Sequence, residues 1–335
     1  MDNRFTKKRI VNMLSYDWLK MVALIVAIVF IWSLAYTIGA PRASKGQSFG
    51  ISYYYGDNGF KFKMGPEDYG TTFKNAGVFS YDILDIEVRE VGAEYPEMLL
   101  MTTSIVQSGD VMITVDREDK VQDFKSEFRF FVDRYAEEIY DFQTLIADAK
   151  SYCLSNDLVR LDNDKYVLDE DKIQQFFAVR MQKDPRFKKK GGERYLQGVK
   201  DEIQRIKSLW NNAVMLEDCL NNHPELTYYY QRFEQSKLAN PKDYEGEEYQ
   251  NQVSKNYGLN LGSLHGGEYT VTDEFYYNLT DEEGKTIGRS ANGIVLCVYN
   301  YKEYQPHLQY ETIAFVNAVI SRYSNFINVN CDGII

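Results

Sequence analysis

Residues 83–115, ILDIEVREVGAEYPEMLLMTTSIVQSGDVMITV, contain the pattern from which we predict the fold of this chain. Apolar and acidic residues alternate across 86–88, as in a half-buried strand, and Pro96 opens a row of apolar side chains at helical spacing that ends at Gly109. Residues 111–115 form a continuous apolar run between two aspartates, which is typical of a strand buried on both faces. Because a parallel strand pair needs a crossover and cover on both faces, this strand–helix–strand unit predicts an α/β domain.

A second apolar stretch, MVALIVAIVFIWSLAYTIG, lies N-terminal to this unit at residues 21–39. It carries no charged residue, and at about 1.5 Å per residue it makes about 29 Å of helix, enough to cross a bilayer. We therefore predict one transmembrane helix at 21–39, embedded in the lipid bilayer. A cleaved signal peptide is the alternative, but the apolar run is longer than in such peptides and Pro41 lies where cleavage would need small residues.

The charges on the two sides of this helix predict its orientation. Residues 1–20 carry a net charge of +3, whereas residues 40–50 carry only two basic side chains. The positive-inside rule then predicts a cytoplasmic basic tail at 1–20, a tether at 40–48 and an extracellular domain at 49–335. The protein is therefore predicted to lie in the cell membrane. The total charge of −11 leaves −14 on the extracellular part, which disfavours nucleic acid and anionic lipid as main partners.

The remaining patterns predict a helical middle region and a mixed C-terminal third. Apolar side chains recur at helical spacing, so we expect helices over 124–149, with one or two breaks dividing this segment, and over 173–181, 199–220 and 306–323. Strand and turn residues predict strands at 49–55, 268–278 and 293–299, a hairpin between 49–55 and 60–64, a turn at 281–285 and a loop region at 236–256.

Two stretches resemble the extracellular solute-binding proteins of bacterial ABC importers. Residues 108–116, SGDVMITVD, are similar to that family's glycine–aspartate–valine–hydrophobic segment, and the strand and helix at 294–323 resemble late elements of its lobes. The whole plan resembles single-pass proteins of Gram-positive bacteria with a reduced solute-binding-like domain, although no lipid-accepting cysteine follows the apolar run. The resemblance implies a two-lobed, periplasmic-binding-protein-like α/β domain with mixed sheets, and a permease as a membrane partner.

Aromatic and acidic residues near predicted strand ends are the candidate ligand-binding residues. Sugar and polyol sites stack aromatic rings on the apolar faces of the ligand while carboxylates bind its hydroxyls. Ligands of open α/β sheets lie at the carboxyl ends of the strands, and the glycines beside His265 could expose its imidazole. We predict that the ligand-binding residues are among Tyr53, Tyr54, Tyr55, Asp116, His265, Tyr276 and Tyr277.

Catalytic and metal-binding motifs have little support in the sequence. The three histidines lie in no HExxH or nucleophile-elbow context, and the acidic segments 116–127 and 162–171 lack the glycine turn of a calcium loop. Cys297 lies within an apolar strand, so we expect a buried free thiol there; the disulfide state of the cysteines is open. We therefore predict a protein without enzymatic activity, cofactor or metal.

Together these features predict a membrane-anchored extracellular binding module, for a small solute or a cell-envelope carbohydrate, related to ABC transport. The alternative is a non-enzymatic envelope scaffold that has lost ligand binding and contacts a membrane protein. The basic loop at 188–194 has two interpretations, a solvated turn or a site for an anionic headgroup or wall polymer.

Overall fold

The computed structural model describes residues 18–39, 47–56, 60–62, 66–81, 83–92, 110–116, 128–129, 131–132, 139–235, 250–281, 283–300 and 310–327 of the chain. The chain forms two compact units, residues 1–44 and residues 45–335. The first unit contains one described helix, and the second contains a mixed α/β structure.

Helix α1 spans Trp18–Gly39 and is the element described in the first unit. Its residues from Trp18 to Tyr36 are long and apolar enough to cross a membrane, and all of them are exposed. No other helix in the described ranges has this length and composition, although an N-terminal signal sequence would share both properties. The predicted apolar helix is confirmed, while its orientation and its place in a membrane stay predictions.

A six-stranded mixed sheet forms the centre of the second unit. Its strands, in the order in which they lie side by side, are β3 (Asp85–Gly92), β1 (Ser48–Gly56), β4 (Val111–Val115), β11 (Ile294–Val298), β8 (Gln250–Asn260) and β7 (Thr227–Gln235). The first three strands are parallel, and from β4 onward each neighbouring pair is antiparallel. The predicted α/β class with a mixed sheet is confirmed.

The predicted strand–helix–strand unit contains two parallel strands that are not neighbours. β1 lies between them, so that Ile51 pairs with Val88 of β3 on one side and with Val111 of β4 on the other. The helix predicted after Pro96 lies outside the described residues. The predicted hairpin between 49–55 and 60–64 is wrong, because both edges of β1 are already paired and 60–62 joins a different sheet.

The remaining described strands form two smaller sheets. One is antiparallel, in the order β10 (Thr286–Ser290), β9 (Phe275–Thr280) and β2 (Phe60–Phe62), and Asp281 N–H donates to Lys285 O across the predicted 281–285 turn. The other is the hairpin of β5 (Val159–Asp162) and β6 (Lys165–Leu168). Its two turn residues, Asn163 and Asp164, have φ values of 49° and 62°, as a two-residue type I′ turn requires.

The loop region predicted at 236–256 is wrong over its last seven residues, because β8 begins at Gln250. The residues from Gln250 to Asn256 are mostly polar and show no apolar alternation in the sequence. They form a strand because residues 229–235 of β7 supply backbone partners for all seven of them, up to a bulge between Tyr228 and Tyr229. Residues 236–249 lie outside the described part of the chain.

The described helices of the second unit are α2 (Pro66–Asn75), α3 (Phe142–Ser155), α4 (Glu170–Arg180), α5 (Glu193–Asn222), the single turn α6 (Val271–Glu274) and α7 (Tyr310–Tyr323). The predicted helices at 173–181, 199–220 and 306–323 correspond to α4, α5 and α7. The helical segment predicted over 124–149 is divided: residues 128–129 and 131–132 are helical, and α3 begins at Phe142, where Asp141 accepts the Thr144 N–H at 3.2 Å as the N-cap. The strand predicted at 268–278 is α6 followed by β9.

Both faces of the six-stranded sheet are covered by apolar side chains. Odd-numbered residues of β1 and β4, such as Ile51 and Ile113, belong to the main core, which also contains apolar residues of α3, α5 and α7. Even-numbered residues such as Tyr54 and Met112 belong to a second cluster on the other face, together with Phe128. This burial on both faces explains the continuous apolar runs of β4 and β11.

Candidate functional site

One edge of the six-stranded sheet combines the ends of β4 and β8 with the starts of β7 and β11. Val115 at the end of β4 pairs with Ile294 at the start of β11, and Asn260 at the end of β8 pairs with Val295. We call this the carboxyl edge, after the ends of the parallel strands. Ligands of open α/β sheets bind at such an edge, and two groups of polar side chains lie there.

Asp116 follows β4 at the carboxyl edge and contacts three neighbours. Its backbone N–H donates to Gly293 O at 2.7 Å, Tyr228 Oη donates to its Oδ2, and Arg129 Nε lies 3.1 Å from its Oδ1. Burial and the Asp116 carboxylate raise the pKa of Tyr228, so this phenol remains a hydrogen-bond donor. The side chain of Asp116 is 5% exposed and that of Arg129 is 44% exposed, so the guanidinium is the solvent-facing part of this group.

The predicted tyrosines of β1 do not share one face of the sheet. Tyr53 is buried in the main core, with its ring centroid 6.1 Å from that of Phe275. Tyr54 is buried on the opposite face, with its ring edge-on to Phe131 at 5.1 Å. Tyr55 belongs to β1, and its side chain lies outside the described part. Strand geometry separates successive side chains in this way, so the two buried rings cannot stack on one ligand together.

Tyr276 and Tyr277 lie in β9 of the three-stranded sheet, which is separate from the six-stranded sheet. Tyr277 is buried and pairs with Phe60 of β2. Tyr276 is half-buried, and the Arg289 guanidinium lies 4.2 Å from its ring centroid. Of these two rings, Tyr276 is the one with solvent access, and one of its faces is covered by Arg289.

His265 lies at the carboxyl edge in a group with His223, Glu225 and Phe326, which we call the imidazole cluster. The His223 ring stacks on the Phe326 ring at a centroid distance of 3.9 Å, and His265 meets Phe326 edge-on at 4.9 Å. The chain segments before β7, after β8 and after α7 each contribute to it. Ser263 Oγ donates to Glu225 O at 2.9 Å and joins the first two segments.

Hydrogen bonds determine which imidazole nitrogens of the cluster carry protons. His265 Nδ1 lies 2.9 Å from Ser263 O, a carbonyl oxygen that only accepts, so Nδ1 donates. His223 Nδ1 lies 3.1 Å from Glu225 Oε1 and donates in the same way. A hydrogen bond from its own backbone amide, followed by that from His223, lowers the pKa of Glu225. A neutral imidazole in either position therefore has Nε2 as an acceptor for a polar ligand.

No spacing of residues along the chain predicts the imidazole cluster. The glycines beside His265 make it a predicted site residue, whereas the sequence around His223 contains no comparable signal. The cluster forms because β7 and β8 pair antiparallel and bring together the segments that flank them. Phe326 joins through the end of α7, where Gly267 N–H donates to Tyr323 O at 3.2 Å.

A buried charge cluster, formed by Arg180, Glu202, Arg205 and Glu311, lies among α4, α5 and α7. Arg180 Nη2 lies 2.5 Å from Glu202 Oε2, and Arg205 lies 3.5 Å from both Glu202 Oε1 and Glu311 Oε1. Tyr81 Oη also donates to Glu202 Oε2 at 2.8 Å, and Ser80 Oγ donates to Glu311. The Glu202 side chain is fully buried, so these partners replace the water that it loses.

Helical spacing contains a signal for this cluster. Glu202 lies three residues after Val199 and four before Ile206, on the apolar row of α5. Glu311 lies four residues before Phe315, at the start of an apolar row of α7. A charged residue in register with a buried row needs a buried partner, and each of these glutamates has one.

Asp110 lies just before β4 and next to the buried charge cluster. Gly50 N–H donates to Asp110 Oδ2 at 2.7 Å, and Asp110 N–H donates to Gly50 O at 2.8 Å. Burial, with a contribution from the Glu311 carboxylate, raises the pKa of Asp110 to about 7, against the opposing effect of the Gly50 amide. The aspartate of the segment that resembles solute-binding proteins therefore joins β1 to β4 at the edge opposite the carboxyl edge.

The thiols and the remaining titratable groups form no metal site in the described ranges. No group of three or more His, Cys, Asp or Glu side chains there has the arrangement to hold a metal ion. Cys153, Cys219 and Cys297 are free and buried, which confirms the expectation for Cys297. Burial raises the pKa of Cys153 to about 12 and that of Cys219 to about 11. Cys331 lies outside the described residues.

Comparisons with protein-family models, with curated proteins and with solved structures find no match to this chain. The resemblance to solute-binding proteins therefore stays a prediction from residues 83–116 and 294–323.

Proposed function

We propose that this protein is a membrane-anchored, extracytoplasmic binding module. The observation that carries the proposal is the exposed apolar stretch from Trp18 to Tyr36, which lies in a unit separate from the folded α/β unit. An exposed stretch of this length is costly in water and is stabilised in a hydrocarbon core. The basic residues 1–20 orient the helix with its N-terminus in the cytoplasm, and the folded unit lies outside.

The proposed ligand is a small polar solute or a cell-envelope carbohydrate, bound at the carboxyl edge. His265 supplies an acceptor nitrogen, and Asp116 with Arg129 supplies a charged pair of which the guanidinium is half exposed. In the two-lobed arrangement that the resemblance implies, closure of the lobes would hold the ligand and a permease would receive it. The proposed role is binding rather than catalysis.

Topology and ligand binding have separate tests. A C-terminal alkaline-phosphatase fusion, which is active only outside the cytoplasm, should be active on the full chain, and an inactive fusion would refute the orientation. Thermal unfolding of the detergent-solubilised full chain should be screened against sugars, oligopeptides and cell-wall fragments. A ligand at 100 times its Kd adds about 2.7 kcal/mol to the unfolding free energy.

Two variants locate the site once a ligand is found. His265→Ala removes an exposed imidazole of the carboxyl edge, and the ligand-induced rise in melting temperature should shrink or vanish. Tyr229→Ala is the control, because Tyr229 is 55% exposed on β7 outside the imidazole cluster. An unchanged rise in His265→Ala would place the ligand elsewhere.

A second candidate is an envelope scaffold without a small ligand. Burial of Tyr53, Tyr54 and Tyr277 favours it, since these rings serve the core and leave fewer aromatic faces for a sugar. A screen without any stabilising compound, together with a membrane protein that co-purifies with the full chain, would support the scaffold over the solute receptor.

A further inference from the structure

One corner of the folded unit has a charge opposite to that of the unit as a whole. The segment 179–200 joins the end of α4 to the start of α5 and exposes six cationic side chains, Lys183, Lys188, Lys189, Lys190, Arg194 and Lys200. Glu193 is its one exposed acid, because Asp184 is half-buried against Arg186. We call this segment the basic corner; the chain from residue 40 onward carries a net −14.

The basic corner has a defined backbone that displays its lysines outward. Asp184 accepts the Arg186 N–H at 2.8 Å and contacts the Arg186 guanidinium at 2.7 Å, and a short 3₁₀ turn, Pro185–Phe187, follows. The Phe187 ring is buried against Gly198, where a Cβ atom would lie 2.6 Å from it. The Phe187 ring therefore fixes the loop to α5, and the three exposed lysines at 188–190 follow it directly in the sequence.

Two exposed apolar side chains flank these cations. Val179 in the last turn of α4 is 75% exposed, and Leu196 in the first turn of α5 is 52% exposed. Apolar side chains beside a cluster of lysines match the two components of an anionic bilayer surface, because the ammonium groups bind headgroups and the apolar groups enter the interface.

The sequence length between the anchor and the fold keeps such a surface within reach. Eight residues, 40–47, separate Gly39 at the end of α1 from Ser48 at the start of β1. Eight residues span at most about 29 Å even when fully extended. A folded unit that is tethered this closely meets the headgroups repeatedly, so even a weak surface attraction has an effect.

Close to the headgroups, the charge of the basic corner matters more than the net charge of the folded unit. The Debye length is about 10 Å at 0.1 M salt, so acidic groups on distant parts of the unit are screened from the headgroups. The cations of the basic corner would lie within that length on contact, and each lysine near an anionic surface changes the docked population about fivefold. The acidic composition therefore excludes attraction of the whole folded unit to an anionic membrane, but it allows attraction of the basic corner alone.

We infer that the basic corner docks on the anionic headgroups of the bilayer that α1 spans, and that it thereby orients the folded unit. The inference rests on the proposed membrane anchoring. Docking by this corner gives the carboxyl edge one preferred direction relative to the membrane, as transfer of a ligand to a membrane partner would require.

The test uses the full chain in nanodiscs of pure phosphatidylcholine or of phosphatidylcholine with about one-third phosphatidylglycerol, followed by amide hydrogen exchange of residues 181–196. Exchange should be slower in the anionic discs, and the difference should vanish at 1 M salt, where the Debye length falls to about 3 Å. Lys188→Glu/Lys189→Glu/Lys190→Glu should abolish the difference, since three lysines account for a change on the order of 100-fold in docked population.

The matched control is Lys165→Glu/Lys255→Glu/Lys285→Glu, which makes the same charge change at exposed lysines of β6, β8 and the β9–β10 turn. It should retain the lipid-dependent protection, and unchanged exchange in α7 verifies that both variants fold. Equal exchange of 181–196 in the two kinds of disc would overturn the inference. Protection by soluble poly(glycerol phosphate) without any effect of anionic discs would overturn it in favour of a polymer site.

The same samples separate this inference from the proposed function. A chain that does not enter discs of pure phosphatidylcholine would refute membrane anchoring itself. A chain that enters them and shows lipid-independent exchange refutes the docking surface alone.

Discussion

The stability of this protein should depend less on pH when Asp110 is replaced by asparagine. Burial and the nearby Glu311 raise the pKa of Asp110 from 3.8 to about 7. Between these two values the folded protein keeps a proton that the unfolded chain has released. The contribution of this proton to the unfolding free energy is therefore complete below a pH of about 4 and is lost as the pH rises through about 7.

The size of the effect follows from the shift. One pKa unit corresponds to about 1.4 kcal/mol, so the rise from 3.8 to about 7 sets an upper limit of about 4 kcal/mol. Asparagine keeps an oxygen for the Gly50 N–H, which lies 2.7 Å from Asp110 Oδ2, but it has no proton to release. Asp110→Asn should match the wild type near pH 4 and exceed its stability by about 1 to 4 kcal/mol near pH 8.

Urea unfolding of the detergent-solubilised full chain, at a series of pH values from about 4 to about 8, measures this difference. Trp210, which is 2% exposed, is a suitable fluorescent reporter of unfolding. Asp162→Asn makes the same chemical change at an exposed position of β5 and should give no such pH-dependent gain. A difference between Asp110→Asn and the wild type that is the same at every pH would refute the assignment of the retained proton to Asp110.

Three further predictions concern a tightly packed glycine, a buried charge and the buried thiols. Gly293→Ala should lower the unfolding free energy by about 2 kcal/mol or more, because Gly293 has a φ of 76° and the new Cβ would lie 2.4 Å from Asp116 O. Glu202→Gln should cost about 3 to 5 kcal/mol in denaturant unfolding, because it leaves buried cations without their countercharge. Native protein should resist maleimide labelling, and denatured protein should react, at the three buried thiols Cys153, Cys219 and Cys297.

Matched variants distinguish these mechanisms from general fragility. Gly284 also has a positive φ of 80° but no atom within 4 Å of the Cβ position, so Gly284→Ala should show only the backbone cost of about 1 kcal/mol. Equal losses for the two glycine variants would contradict the clash at Asp116. Lys172→Gln, which removes an exposed ion pair with Asp157, should cost less than about 1 kcal/mol, and a cost equal to that of Glu202→Gln would contradict the role of burial.

Elements with a strong apolar pattern could be predicted from the sequence, because they are buried in the way that their pattern implies. β4 and β11 are continuous apolar runs and are buried on both faces, and α7 has apolar rows on nearly every side. In these elements the local pattern and the tertiary environment agree, so sequence alone was sufficient. The helix α1 could be predicted from the length of its uncharged apolar run alone, since its residues from Trp18 to Tyr36 are exposed rather than buried.

Elements that depend on distant partners could not be predicted in this way. The polar start of β8, from Gln250, becomes a strand through the backbone ladder of β7 rather than through its own side chains. Phe60–Phe62 joins β9, more than 200 residues away in the sequence, because β1 has no free edge for a hairpin. Pairing of this kind depends on which strand edges are free of other partners, and no local pattern records it.

The alternation of β1 also decides which predicted site residues can act together. Three successive tyrosines suggested an aromatic platform, but in a strand Tyr53 and Tyr54 must point to opposite faces, and both faces of this sheet are buried. For the proposed ligand, contacts would therefore have to come from segments beyond the strand ends, such as those that contain Asp116 and His265. Loss of Tyr53 or Tyr54 would consequently act on the core, whereas loss of His265 would leave the core unchanged, and this contrast separates a folding defect from a binding defect.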